Sequence, residues 1–234
     1  MRLRPASLGG ALPGLVVAAA LLVGCGSSTS GHALASKTPA EIVAATRLAA
    51  DNAHSVHVSG AIVSAGSPIT LDMDLLAGKG GRGHLSENGV NFELIQTGGS
   101  IYIKGTPAFY AHVGGAAAAR LFRGRWLKVP ATRGNFASLA SLVDLRQLVD
   151  TTLAGHGALV KGPTTNVAGQ RALTVTDTST GGTLHIAANG TTYPIEVTKA
   201  GAGGGKIVFD RWNEPVSLAA PQNAIDLTRP QFAP

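Results

Sequence analysis

Between residues 55 and 104, apolar and polar side chains alternate with period two, the signature of half-buried strands. Val56 and Val58 alternate with Ser55, His57 and Ser59. Ile69, Leu71, Met73 and Leu75 share one face, and Thr70, Asp72 and Asp74 share the other. Val90, Phe92 and Leu94 stand opposite Asn91 and Glu93, and Ile101 and Ile103 stand opposite Tyr102 and Lys104. Asn88-Gly89 and Gly98-Gly99 are tight-turn signals between these runs. Strands joined so closely pair antiparallel, as a meander. The same alternation resumes at Leu173 and Val175, Leu184 and Ile186, Ile195 and Val197, and Ile207 and Phe209. A last extended segment is expected within residues 210–221.

Helical spacing occupies two other stretches. Thr38, Pro39 and Glu41 form a capping box with proline in the first turn, and Ile42, Val43, Thr46, Ala49, Ala50 and Ala53 follow on a narrow, small-residue face. Phe136, Leu139, Leu142, Val143, Leu145, Val149 and Leu153 fall on one wide arc. This predicts one helix over 136–154, closed by Gly155, with Arg146 and Asp150 spaced to pair. Residues 106–130 read as irregular, with a short helix and then a strand at 126–129.

The expected fold class is therefore α+β. About ten antiparallel strands cannot stay flat. They curl into a half-barrel with helices packed in or over its concave face. The length from residue 38 to 234 suits a single domain.

The amino terminus adds a different signal. Arg2 and Arg4 precede a short apolar run, Leu15 to Val23, which ends at Gly24-Cys25. This is the layout of an export signal, too short and too interrupted by glycine and proline for a bilayer span. Cys25 is the only cysteine, so no intrachain disulfide can form. Leu22-Val23-Gly24-Cys25 resembles the lipobox of bacterial lipoproteins. That resemblance implies removal of residues 1–24 and diacylglyceryl attachment to Cys25, with two acyl chains giving a stable anchor. Residues 25–37 read as a flexible tether.

Charge changes the picture little. The formal charge is +6, and +4 without Arg2 and Arg4. Arg120, Arg123, Arg125, Lys128 and Arg133 form the one dense basic cluster. Without stacking aromatics or a nucleic-acid motif, nucleic-acid binding is not expected. Attraction to an anionic membrane surface and a merely solvated face both fit.

Candidate chemistry is sparse. Residues 78–83, GKGGRG, match a dinucleotide-binding pattern in letters but run into a strand rather than a helix, so they read as a glycine-rich turn. The seven histidines lack partners at ligand spacing. Asp72 and Asp74 have no second acidic pair and read as solvated carboxylates. No nucleophile elbow is present. No catalytic residue, metal or cofactor is expected, and the chain does not read as an enzyme.

The lipobox, the tether, the opening TPAEIVAATRLAADNAHSVHVSG, the meander, the mid-chain helix and the closing KIVFDRWNEPVSLAAP together resemble the LppX/LprG group of actinobacterial lipoproteins. Asp210, Trp212, Pro215 and Val216 carry the closing part of the likeness. The resemblance implies a LolA/LolB-like half-barrel around an apolar cavity that binds lipids or glycolipids, on the extracytoplasmic side of a bacterial cell membrane. Unfilled space costs ~24 cal/mol per Å³, and a bound acyl chain recovers it with ~0.8 kcal/mol per methylene. The expected lining is Ile69, Leu71, Met73, Leu75, Val90, Phe92, Leu94, Ile101 and Ile103, with Leu142 and Val149 from the covering helix. Expected partners are an acyl lipid, the membrane through acylated Cys25, and a membrane transporter as a further candidate; the chain is expected to be monomeric. The alternative is a tethered interaction or sensor module with a closed core and no transported ligand.

Overall fold

A computed structural model describes residues 34, 36–64, 66–132 and 136–229. Cys25 and the export signal lie outside the described residues. Helix α1 (Pro39–Asp51) begins as its sequence requires. Thr38 Oγ1 accepts from the Glu41 amide at 3.3 Å, and the Thr38 amide donates to Glu41 Oε2 at 2.7 Å. Its Ile42, Val43, Thr46 and Ala50 are buried, and Thr46 satisfies its hydroxyl by donating to the Ile42 carbonyl. Leu34, within the stretch read as tether, is 4% exposed and belongs to the core.

Five strands follow in a meander: β1 (Ser55–Ser64), β2 (Ser67–Leu76), β3 (Gly80–Glu87), β4 (Val90–Thr97) and β5 (Ser100–Gly105). After helix α2 (Pro107–Leu121) come β6 (Leu127–Pro130), helix α3 (Phe136–Leu142) and helix α4 (Leu145–Ala154). The second half supplies β7 (Leu159–Lys161), β8 (Thr165–Val167), β9 (Gln170–Asp177), β10 (Gly182–Ala187), β11 (Pro194–Lys199), β12 (Gly205–Asp210) and β13 (Ile225–Asp226). All join one curved, unclosed sheet ordered β13-β6-β5-β4-β3-β2-β1-β12-β11-β10-β9-β7, with β8 also on β9. Every pairing is antiparallel except β13 on β6. The strands beyond the expected ten are mostly the two- and three-residue pieces β7, β8 and β13, too short to show an alternation.

Register builds the inner face. One row crosses seven strands as Leu127, Ile103, Leu94, Gly83, Met73, Val58 and Phe209. Gly83 is the gap in that row, and Met73 occupies the room. A Cβ on Gly83 would lie 2.7 Å from both Met73 Cα and Met73 Cγ.

Four local expectations are corrected. Residues 107–121 form a full helix rather than an irregular stretch. Thr106 caps it by accepting from the Phe109 amide, Pro107 opens it, and Gly115 at φ 74° kinks it. Residues 136–154 form two helices. Val143 interrupts the run, and extended Asp144 restarts it by accepting from the Gln147 amide at 2.9 Å. Asp150 does not pair with Arg146. It pairs with Arg47 of α1, while Arg146 Nε donates to the Asp51 carbonyl at 3.2 Å. The segment after β12 is a turn and coil through residue 224, not a strand.

Candidate functional site

The inner face of the sheet divides into a filled centre and an open flank. At the centre, Leu71, Met73, Leu75, Leu94, Ile101, Ile103 and Val149 are all buried in one cluster, with Phe92 and Leu142 half-buried against it. Ile69 and Val90 are half-buried near the β2–β4 end of the sheet. The α3–α4 corner closes this region from above. Val143 is fully buried, and a Cβ on Gly81 would stand 3.4 Å from Val143 Cβ and 2.7 Å from Leu75 Cδ2. The protein's own side chains thus occupy the space over β2, β3 and β4.

The open flank lies on the other side of β1. Alternation puts Val175, Leu184 and Val197 on one row of β9, β10 and β11, with Leu184 directly opposite both of the others. α4 contributes Leu153, α1 contributes Val43 and β7 contributes Leu159. Between them is a cavity of about 230 Å³. Thr151, Thr152, His156, Thr180 and Lys199 form its polar rim. Its apolar body and polar mouth suit a chain-like ligand whose one end stays in water. The volume is below the ~300–1,000 Å³ usual for small-molecule pockets.

Asp177 braces the rim. Its carboxylate accepts from Thr180 Oγ1 at 2.6 Å, the Ser179 amide at 2.8 Å, the Gly157 amide at 3.1 Å and the Thr180 amide at 3.3 Å. These bonds, led by the Thr180 hydroxyl, hold its carboxyl at about 2, against a smaller upward push from burial. Gly157 is required for this approach, because a Cβ there would collide with the Ser179 hydroxyl. The carboxylate is therefore committed to the loop between α4 and β7 and the turn after β9.

A larger depression, about 440 Å³, lies where ionisable side chains line up across the sheet. The register places Asp72, His84, Glu93 and Lys104 side by side across β2 to β5, on the face opposite Leu71, Leu85 and Phe92. Glu93 and Lys104 pair at 3.1 Å, and His57 bridges Asp72 and Asp210 at 3.2 and 2.6 Å. Asp72 is largely exposed, whereas Asp74 is engaged by Arg82 at 3.4 Å and Arg211 at 3.2 Å. These cross-strand ion pairs satisfy one another. Among the described residues, no group of three metal-ligating side chains converges, and no helix is long and apolar enough to cross a membrane.

Alternation marks Val175, Leu184 and Val197 as strand residues. It does not mark them as lining, because nothing in a period-two pattern tells which half of a sheet its helices leave uncovered.

A large curved, unclosed antiparallel sheet with few helices is a half-barrel, and the fold here is LppX/LprG-like. The chain is similar to the crystal structure of LprF from Mycobacterium bovis, with a TM-score of 0.54 and 16% identity, covering 78% of this chain and 96% of that one. It is similar also to the Mycobacterium tuberculosis lipoprotein LppX, with a TM-score of 0.51 and 20% identity, covering 77% of this chain and 98% of that one. No protein-family profile matches the sequence, and no curated protein matches it.

Proposed function

We propose that the chain is a membrane-anchored cell-envelope lipoprotein, tethered through acylated Cys25, that shelters an acyl chain of a lipid or glycolipid and carries or presents it. The observation that carries this reading is the apolar cavity under α4, bounded by Val43, Leu153, Leu159, Val175, Leu184 and Val197. A partly open apolar hollow with a polar rim is favourable for burying methylenes, at ~0.8 kcal/mol each. The LppX/LprG-like fold and the lipobox resemblance support the same reading.

The cavity is small for a whole acyl chain, so the reading includes an enlargement. The α3–α4 corner lifts, Leu142 and Val143 leave the sheet, and the row Leu71, Met73, Leu75, Leu94, Ile101 and Ile103 extends the hollow toward Ile69, Val90 and Phe92. The filled centre favours a second reading, a tethered docking module whose core stays closed.

Mass spectrometry of the organic extract decides between them. Protein purified from the envelope of the native host should carry acyl lipid in stoichiometric amount. Repeatedly empty preparations would leave only the closed module.

A further inference from the structure

Helix α2 presents a surface that neither reading uses. Residues 111–117 are all exposed and read AHVGGAA. Val113 and Leu121 are each 61% exposed, two of the most exposed large apolar side chains among the described residues. Ala117 and Leu121 are four apart and share a face. The helix is held at its start instead. Tyr110 is fully buried, donates to the Arg125 carbonyl at 2.8 Å and accepts from the Gly105 amide at 2.9 Å. Phe109 packs on Phe92 at 5.0 Å between ring centroids, and Phe122 on Tyr110 at 5.8 Å.

Charge specifies what this surface meets. The sequence from Thr106 to Val143 contains no Asp or Glu. Arg120, Arg123 and Arg125 are exposed, and none pairs with a carboxylate among the described residues. The aromatic rings of Phe109, Tyr110 and Phe122, which would anchor a protein interface, pack on Phe92 and on one another. What remains outside is small and apolar, without shaped pockets, beside three free guanidinium groups on flexible stems. A lipid surface needs no shape complementarity. It rewards apolar area at the headgroup boundary and arginines that reach anionic phosphates.

We infer that α2 and the turn after it form a docking element for an anionic lipid surface, with Val113 and Leu121 entering the headgroup region and Arg120, Arg123 and Arg125 binding its phosphates. This goes beyond lipid carriage and does not depend on the cavity.

The test uses the chain from residue 25 onward with Cys25→Ser, which keeps every described residue and removes the acyl anchor. Co-sedimentation is measured with phosphatidylcholine vesicles with and without phosphatidylglycerol. Binding is expected on the anionic vesicles and should fall as salt rises. Neutralising one arginine should lower partitioning about fivefold, and Arg120→Gln with Arg123→Gln and Arg125→Gln about a hundredfold. Val113→Ser with Leu121→Ser should also lower it, with an unchanged melting curve because both side chains are exposed. Lys79→Gln with Arg171→Gln, exposed cations elsewhere, should leave it unchanged. Absence of binding to anionic vesicles overturns the inference. So does equal loss from the Lys79 and Arg171 changes, or self-association of vesicle-free protein that Leu121→Ser abolishes.

Discussion

Arg47 of α1 and Asp150 of α4 form an ion pair that joins two helices 103 residues apart in sequence. Both helices roof the cavity, through Val43 and Leu153. The pair draws Arg47 above its ordinary value, chiefly through the hydrogen bond to Asp150. Both side chains are well exposed, so the pair acts more as a clasp than as a source of stability. Asp150→Asn should lower Tm by only about 2 °C or less. It should speed exchange of a fluorescent fatty acid, measured by stopped flow. An unchanged exchange rate would show that the roof does not open along this seam.

Filling the cavity separates binding from folding. Val197 is half-buried and faces the hollow, so Val197→Phe has space to occupy. It should abolish retention of acyl lipid while changing stability by less than ~1.5 kcal/mol. Removing lipid from the unmodified protein should lower its Tm, since a ligand bound only to the folded state stabilises it. Differential scanning fluorimetry before and after delipidation reads both effects.

Gly83 tests the packing of the row across β2 and β3. Gly83→Ala would press a methyl group against the Asp72 carbonyl and Met73. The expected cost is ~1–3 kcal/mol, read from the urea midpoint. Val143→Ala acts in the opposite sense on ligand capacity. It should lower Tm yet admit longer acyl chains, because it removes the side chain that closes the space over Gly81.

The acid limb of stability should depend on Asp177. Its folded value, about 2, lies below the ordinary carboxylate value, so its contribution is complete above about pH 4 and is lost as the pH falls toward 2. Asp177→Asn should lower Tm at neutral pH and flatten the decline between pH 4 and 2. A variant curve parallel to that of the unmodified protein would place the acid sensitivity elsewhere, Asp226 being the next candidate, held at about 2 chiefly by the Thr228 hydroxyl.

The meander was legible because its strands carry long alternating runs. The ladder pairs Met73 with Val58 and Leu94 with Ile103, the same faces the alternation assigns. The capping box at Thr38 was equally plain. Helix α2 was hidden because Gly114 and Gly115 break its propensity, and its anchor, Tyr110, acts through hydrogen bonds to the Gly105 amide and the Arg125 carbonyl, which no periodicity reveals. The break at Asp144 was hidden because Val143 continues the apolar arc while its role is to fill the space above Gly81. The ion pair of Asp150 was misassigned because spacing sees Arg146 four residues away and cannot see Arg47.

Leu34 carries a mechanical consequence. With an anchor at Cys25, its burial leaves a leash of nine residues, at most about 30 Å at full extension. On the proposed anchoring and lipid uptake, a body held that close to its own bilayer would swivel and scan but would not ferry cargo to a distant layer. Its lipid would then have to pass to a second carrier at arm's length.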